Sequence, residues 1–181
     1  MSKDQRHLAD LGRKGGRRYY LRAMRLIKIH YTPSTPVTSW GEIKDAAREL
    51  LQLVDSDTFP GNKTEAIAIH HAQVSEEPCA FFAVNSKYVE SFALTRRLII
   101  NPRIVSVDQS SVVYLKEACI SFPYRAGKHV LRYGRITVEY QIPIIGELET
   151  LVEECEGRKA IMFQHEIDHQ NGKNIYFNGF N

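Results

Sequence analysis

Residues 164–169 read Gln164-His165-Glu166-Ile167-Asp168-His169, the most informative stretch of this 181-residue chain. Histidines four residues apart lie on one face of a helix, where a single metal ion can contact both rings. Glu166 projects beside the pair, and a carboxylate there can accept a proton from water. The stretch therefore predicts a metal-binding helix that carries a catalytic carboxylate. A surface helix with two solvated histidines is the alternative.

A catalytic metal needs a third protein ligand and one open coordination position. Position 175, where a metzincin would place a histidine, holds Ile175, and the remaining downstream residues do not supply the ligand. We therefore expect the third ligand upstream. Cys119, just past the apolar strand pattern of residues 112–115, fits this need. The alternative for Cys119 is a small buried side chain, which is our interpretation of the other two cysteines.

Apolar patterning predicts the fold class. A stripe from Ile43 to Val54 follows Ser39 and Glu42, which have capping-box spacing, so a helix is predicted there. The middle of the chain is typical of strands, with predicted ranges 66–69, 80–84, 98–100, 104–107, 111–115, 130–133 and 135–142. The order helix, strands, helix predicts an α+β fold with mostly antiparallel β-sheets around the C-terminal metal-binding helix.

That last helix is predicted to begin near Glu156 and to end before Gly172, because glycine commonly terminates helices. Its inward-facing side chains are predicted to be Ala160, Ile161, Phe163, Gln164 and Ile167. Residues 148–154, which precede the helix, receive no assigned element.

Charge is distributed unevenly along the chain, whose net charge is +3. Residues 1–28 carry nine basic and two acidic side chains, so this segment has a charge of +7 and the remainder −4. A basic segment on a mildly acidic body favours an anionic partner, with RNA or the ribosome as candidates. A solubilising extension is the alternative interpretation.

Composition excludes several classes of protein. With 43% apolar and 25% charged residues, the chain can bury a core, and wholesale disorder is not expected. The longest apolar run, residues 79–84, is far shorter than the roughly 20 residues of a membrane span. The first residues do not resemble a secretory signal, and three cysteines favour a reducing compartment over a disulfide scaffold.

Taken together, these residues resemble the peptide deformylase family. The family's third motif, Gln-His-Glu-x-Asp-His, is intact at residues 164–169. Its second motif, Glu-Gly-Cys-Leu-Ser, is present with Ala118 and Ile120 in place of Gly and Leu. The spacing of 46 residues between the motif cysteine and the first motif histidine also matches. The resemblance covers about residues 25–175 and implies a deformylase-like fold.

The first motif departs from the family. The family pattern is Gly-x-Gly-x-Ala-Ala-x-Gln, and this chain has Ala66-Ile67-Ala68-Ile69-His70-His71-Ala72-Gln73. Because glycine lets a backbone approach a ligand closely, the two alanines bear on substrate preference more than on the metal site. We expect His70 and His71 to be core or interface residues, with extra ligands or proton shuttles as the alternative.

The resemblance implies a role for each matching residue. One divalent metal, Fe(II) in vivo and Zn(II) or Ni(II) in preparations, would be held by Cys119, His165 and His169. Glu166 would transfer the proton, while the side-chain amide of Gln73 and the N–H of Ile120 would stabilise the oxyanion. Glu117 would pair with a base such as Arg132. The substrate would contact Ile67, Ala68, Phe122 and Ile161.

The implied activity is hydrolysis of formyl-methionyl nascent peptides to formate and peptides with a free N-terminal Met. The catalytic domain is predicted over residues 25–181, with a basic N-terminal extension at 1–24 that contacts the ribosome or RNA. No membrane partner is expected. The expected location is the cytoplasm, that of a bacterium or of a host cell if the source is viral, with an organelle as the alternative.

Other functions stay open at this point. A related metalloamidase would act on a different small acyl group, which the altered first motif favours, and formyl- and acetyl-peptides would separate the two activities. A non-catalytic relative would bind the ribosome or RNA, although such a protein has no need of Glu166. A minimal HExxH peptidase would need the downstream ligand that is missing here.

Overall fold

A five-stranded antiparallel sheet forms the centre of the fold. The computed structural model describes residues 32–56, 66–94, 96–122 and 125–176. In chain order the elements are α1 (Trp40–Val54), β1 (Ala68–His70), β2 (Phe81–Val84), β3 (Leu98–Val107), β4 (Val112–Glu117), β5 (Lys128–Tyr133), β6 (Arg135–Ile144), β7 (Glu147–Glu156) and α2 (Gly157–Gln170). This arrangement confirms the predicted α+β class. The basic N-terminal extension lies outside the described residues.

The strands form two sheets. The large sheet has the order β1-β2-β3-β6-β7, with every neighbouring pair antiparallel, and β4 pairs with β5 in a separate two-stranded sheet. β1 is therefore an edge strand, and no other described strand covers its outer side. Neither α1 nor α2, the two α-helices of the described residues, is long and apolar enough to cross a membrane.

Both faces of the large sheet are covered near β2. Phe81 and Ala83 pack in a cluster with α1, while Phe82 and Val84 pack in a cluster with α2. A strand buried on both faces has apolar side chains at every position, which explains the uninterrupted apolar run predicted as a strand. Phe82 also meets Phe163 of α2 edge to face at 5.5 Å between ring centroids. α2 is therefore fixed in place by the core.

β3 is one strand of ten residues, where the sequence pattern predicted two short ones. Its register with β6 shifts near Asn101, which has a φ of 48°. The Asn101 side chain accepts the N–H of Val37 and donates to the oxygens of Val37 and Gln141. Asparagine tolerates this left-handed conformation better than most residues, so the Asn-Pro pair forms a bulge and not a loop.

β7 occupies the segment that received no assigned element in the sequence analysis. It pairs with β6 along ten residues, from Arg135 opposite Glu156 to Ile144 opposite Glu147. The connecting residues Ile145 and Gly146 both have positive φ, as a two-residue hairpin turn of type I′ requires. The many glutamates of β7 hide the apolar alternation of a strand, so β7 is specified by its pairing with β6.

The capping box predicted at the start of α1 is only half formed. Ser39 is the N-cap residue in an extended conformation, but its side chain makes no capping hydrogen bond. Glu42 instead accepts hydrogen bonds from the N–H and the hydroxyl of Thr38, one residue earlier. The predicted start of the helix is correct. The predicted partner of Glu42, Ser39, is wrong, because Thr38 takes that place.

Candidate metal centre

α2 presents the two motif histidines on one face. Their rings lie 4.9 Å apart between centroids, as the spacing of four residues predicts. The helix ends in a Schellman motif, in which the N–H of Gly172 donates to the oxygen of His169 and that of Lys173 to the oxygen of Asp168. Gly172 has a φ of 71°, which confirms the predicted end of the helix.

Cys119 lies against these histidines, just beyond the end of β4. The potential ligand atoms of Cys119, His165 and His169 all lie within 4.8 Å of one another, and Sγ of Cys119 is 3.3 Å from Nε2 of His169. One soft thiolate and two borderline imidazoles suit a divalent ion such as Fe(II) or Zn(II). Three protein ligands also leave a coordination position open, as in catalytic sites, so these residues fit a catalytic metal.

The electrostatics of the cluster favour the thiolate that a metal requires. Burial alone would raise the pKa of the Cys119 thiol, but His169 and His165 beside it hold that pKa well below its ordinary value. Burial would likewise lower the pKa of His165, but hydrogen bonds with Cys119 and Glu117 hold it well above its ordinary value. The described residues therefore stabilise a negative sulfur next to the two imidazoles.

A buried ionic network fixes the orientation of His165. Nδ1 of His165 donates to Oε2 of Glu117 at 2.7 Å, which leaves Nε2 for a metal. Arg132 donates two hydrogen bonds to Glu117, at 2.7 and 3.1 Å, and a third to Asp168 at 2.6 Å. Burial would raise the pKa of Glu117, but the hydrogen bonds from His165 and Arg132 lower it to about 2. The network joins β4, β5 and α2 around the site, and it contains the Glu117–Arg132 pair that the resemblance implied.

Glu166 is the carboxylate next to the donor set. It is 4% exposed, and its Oε2 has no hydrogen-bond partner within the described residues. Burial raises the pKa of Glu166 above its ordinary value, although the neighbouring His165 and His169 oppose the shift. A buried carboxylate with an unused oxygen and a raised pKa is suited to accept and release a proton.

Gln73 reaches the site from a short 3₁₀ turn after β1. Its Oε1 accepts the N–H of His70 at 2.7 Å, while its Nε2 donates to Oγ of Ser121 at 2.9 Å and lies 3.9 Å from Sγ of Cys119. The ring of His70 accepts the N–H of Ala72 through Nδ1 at 3.0 Å, which completes a reciprocal capping box. The amide of Gln73 is therefore held with its donor nitrogen toward the thiol of Cys119.

A cavity of about 370 Å³ opens beside these residues. Its lining brings together most of the predicted site residues: Ile67, Ala68, Gln73, Cys119, Ile120, Ile161, His165 and Glu166. Ala66 and Ala68, which replace the two glycines of the first motif, are also in the lining. The cavity is bounded by the free edge of the large sheet on one side and by α2 on another.

Phe122 is the predicted substrate residue that the structure does not place in the cavity lining. Its side chain is buried in a separate cluster with Cys119 and Ile175. The Phe122 ring lies 4.7 Å from that of Tyr176, and the guanidinium of Arg125 lies over it at 5.3 Å. Phe122 therefore packs against the segment that carries Cys119.

Met162 and Arg158 also line the cavity, although neither was predicted as a site residue. The helical spacing could have found them, because residues 158, 161, 162 and 165 lie on one face of α2. Asp168 was not predicted as a partner of Arg132, since nothing in the sequence shows that β5 passes beside this turn of the helix.

The histidines of the altered first motif are not part of the donor set. His70 is fully buried, and its Nε2 has no hydrogen-bond partner within the described residues. His71 stacks on Phe81 at 4.5 Å and accepts the N–H of Cys79 through Nδ1 at 3.0 Å. Burial lowers the pKa of His71 to about 4, so this ring is neutral. Both residues are therefore structural.

A family model described as "Polypeptide deformylase" matches residues 28–178. The chain belongs to this family. Two curated relatives are similar over shorter stretches. Peptide deformylase 2 of Geobacillus stearothermophilus is 41% identical over 88 residues, which are 48% of this chain and 46% of the relative. Peptide deformylase of Thermotoga sp. (strain RQ2) is 42% identical over 74 residues, which are 41% of this chain and 42% of the relative. The matched segments thus span about half the length of these deformylases.

Solved deformylase structures are similar over most of the chain. That of Thermotoga maritima has a TM-score of 0.65 and 27% identity, and it covers 82% of this chain and 88% of its own. The enzyme of Ehrlichia chaffeensis in complex with actinonin has a TM-score of 0.65 and 25% identity, covering 82% and 81%. The deformylase fold predicted from the motifs is therefore confirmed.

Replacing Arg132 is expected to destabilise this deformylase-family domain strongly. Arg132→Met leaves Glu117 and Asp168 without their buried cation, and breaking a buried ion pair on one side costs about 3–5 kcal/mol. We expect the free energy of unfolding in urea to fall by that amount, with Arg132→Lys intermediate because lysine lacks the bidentate fork.

Arg103→Met is the matched control for this experiment. Arg103 makes a similar bidentate contact with Glu139, but its side chain is 61% exposed, so little change in stability is expected. If Arg132→Met were as stable as Arg103→Met, the network would not support the site as described.

Proposed function

We propose that this chain is a metal-dependent peptide deformylase. It hydrolyses the N-formyl group of formyl-methionyl nascent peptides, giving formate and a free N-terminal Met. The observation that carries the proposal is the clustered donor set of Cys119, His165 and His169, with Cys119, His165 and the buried carboxylate of Glu166 lining one cavity. The test is formate release from formyl-Met-Ala-Ser by anaerobically purified protein.

The metal would be held by Cys119, His165 and His169, and we propose Fe(II) in vivo, with Zn(II) or Ni(II) able to replace it in preparations. A bound divalent metal supplies Lewis acidity, which polarises a carbonyl and lowers the pKa of water toward neutrality. Glu117 keeps His165 in the tautomer that such binding requires, through the hydrogen bond at Nδ1.

Glu166 performs the proton transfer in this proposal. Its carboxylate accepts a proton from the attacking water and delivers it to the amine nitrogen as the formyl C–N bond breaks. The water oxygen stays on the formyl carbon, so the products are formate and the free amine. Burial raises the pKa of Glu166, which favours the protonated state that the second half of this transfer needs.

Gln73 and Ile120 stabilise the negative oxygen that forms on the formyl carbon. Nε2 of Gln73 lies on the cavity side of its turn, where His70 and Ser121 fix its orientation. The backbone N–H of Ile120 is the second donor. Because both hydrogen-bond donors are already oriented before the reaction, no free energy is needed to reorient them. Their stabilisation of the transition state is therefore large.

The cavity provides the substrate contacts. The backbone of Ile67 and Ala68, at the open edge of the sheet, pairs with the peptide as an added strand. Ile161 and Met162 supply an apolar wall for the methionine side chain. In this proposal the part of the cavity beside Cys119 and His165 accepts formyl and excludes larger acyl groups.

Gln73→Leu is expected to lower kcat by about 10²–10³-fold, the usual loss for one oxyanion donor. Ser121→Ala, which removes only the partner of Nε2, is the matched control and should lower kcat far less. Steady-state formate release measures both variants. A Gln73→Leu variant with the kcat of the wild type would remove Gln73 from the mechanism.

His70 is expected to act as a positioning residue through its ring. His70→Leu leaves the N–H of Ala72 without its acceptor, so the turn that holds Gln73 loosens, with a loss of about 1–3 kcal/mol in stability. We expect a lower kcat with a smaller change in KM. His70→Asn supplies a short side-chain acceptor and should restore kcat. Equal kcat values for the two variants would contradict this role.

A related amidase activity on another small acyl group is the second candidate. The observation that favours it is the position of Ala66 and Ala68 in the cavity lining, where each adds a methyl group to the family pattern. Matched formyl- and acetyl-peptides decide between the two activities, because only the second candidate predicts faster hydrolysis of acetyl-peptides.

We also propose that residues 1–24 form a basic extension of the catalytic domain at 25–181 that contacts the ribosome or its RNA. Its charge supports this, as does the expected action on nascent chains in the cytoplasm. A variant without residues 1–16 should bind ribosomes more weakly, with a smaller dependence on salt. Unchanged binding at low and moderate salt would refute the proposal.

A further inference from the structure

One face of α2 runs along the cavity from the metal centre. Arg158, Ile161, Met162 and His165 are spaced i, i+3, i+4 and i+7, and all four line the cavity. At 1.5 Å per residue, the backbone of Arg158 lies about 10 Å along the helix axis from that of His165. The cavity therefore has the metal centre at one end of this face and an arginine at the other.

A second cation lies on a different wall. Lys116 of β4 lines the same cavity, beside Leu115. Both Lys116 and Arg158 are exposed, and within the described part of the chain neither forms an ion pair with a carboxylate. This separates Arg158 from the other arginines whose carboxylate partners are known: Arg48, Arg97, Arg103, Arg132 and Arg135.

The acidic residues in the lining do not neutralise these cations. Glu117 is already paired with Arg132 and His165, and Glu166 lies beside the metal ligands. The lining also contains the apolar side chains of Ile161, Met162 and Leu115. A charge beside an apolar wall is less well screened than one in bulk water, so an anion entering the cavity would be attracted to both cations.

We propose that Arg158 and Lys116 form an anion subsite that selects formyl-peptides carrying a carboxylate in one of the first two residues after Met. The inference rests on the proposed deformylase function and names a substrate class for that site. In an extended peptide the Cα atoms of residues two and three lie about 6 and about 10 Å from the formyl carbon. Those distances bring an Asp or Glu side chain at either position within reach of the two long cationic side chains.

Four peptides test the subsite: formyl-Met-Glu-Ser-amide, formyl-Met-Gln-Ser-amide, formyl-Met-Ser-Glu-amide and formyl-Met-Ser-Gln-amide. The amide removes the terminal carboxylate, and Glu and Gln differ in charge but hardly in shape. The two positions are tested separately because successive side chains of an extended peptide point to opposite sides. The proteins are the wild type, Arg158→Gln and Lys116→Gln, with Lys44→Gln on the exposed side of α1 as a control of equal charge change.

We expect kcat/KM to be about three- to tenfold higher for the Glu peptide than for the Gln peptide at one position at least. The preference should appear mainly in KM and should shrink as salt is raised. Arg158→Gln should reduce the ratio to near one, Lys116→Gln should reduce it in part, and Lys44→Gln should leave it as in the wild type.

Binding measurements keep the two claims separate. Calorimetric Kd values for the same peptides on metal-loaded Glu166→Gln protein, with and without Arg158→Gln, report the subsite without turnover. Absence of formate from every peptide would refute the deformylase activity, and the Kd ratios alone would then decide the subsite. Glu-to-Gln ratios near one at both positions, or a preference that survives both Arg158→Gln and Lys116→Gln, would overturn the inference.

Discussion

Glu166→Gln is expected to lower kcat for formyl-peptide hydrolysis by about 10²–10⁴-fold, the usual contribution of a general acid–base group, with the metal content unchanged. Glutamine keeps the shape of the side chain but cannot accept the proton. Glu166 is buried beside His165 and His169, and one of its oxygens has no partner within the described residues. Glu117, the other carboxylate in the cavity lining, is held by Arg132 and His165, so it is not placed to replace Glu166.

The measurement is formate release together with metal analysis of the same sample. Glu154→Gln, which changes an exposed glutamate of β7, is the matched control and should retain the kcat of the wild type. Activity within about threefold of the wild type in metal-loaded Glu166→Gln protein would show that another group moves the proton.

Cys119→Ala is expected to abolish metal retention and, with it, activity. The variant keeps only two of three protein ligands and loses the thiolate, which His165 and His169 stabilise. The loss of affinity should exceed the roughly 10–100-fold that removal of an outer hydrogen-bond partner costs. Glu117→Gln provides that comparison, because it weakens the contact to His165 and leaves the ligand set complete.

Metal content after gel filtration, read by mass spectrometry, measures this prediction. Cys79→Ala is the matched control, because Cys79 is a free cysteine outside the donor set. We expect full occupancy in Cys79→Ala, partial occupancy in Glu117→Gln and almost none in Cys119→Ala. Full occupancy in Cys119→Ala would place the metal elsewhere.

Local sequence patterns predicted the parts of the site that depend on helix geometry. The spacing of His165 and His169 predicted that they share one helix face, and Gly172 predicted the end of the helix. Both features depend only on backbone geometry. Three strands separate Cys119 from α2, and no local rule determines their path. The position of Cys119 beside the histidines was therefore predicted only from its motif and the spacing between the motifs.

The errors lie where tertiary contacts override local pattern. β7 has too many glutamates to read as a strand, and only its pairing with β6 defines it. Asn101 interrupts the apolar pattern of β3, but its hydrogen bonds to Val37 and Gln141 keep the strand continuous. Phe122, predicted to contact substrate, is not in the cavity lining and packs instead against Tyr176, whose proximity no local pattern predicts.

The most direct test of the account is formate release from formyl-Met-Ala-Ser by anaerobically purified, metal-loaded protein, with acetyl-Met-Ala-Ser measured beside it. We predict saturable formate release equal to the appearance of free N-terminal Met, and hydrolysis of the acetyl peptide at least about a hundredfold slower. Fully metal-loaded protein that released no formate would contradict the central claim that this donor set and Glu166 form a deformylase site.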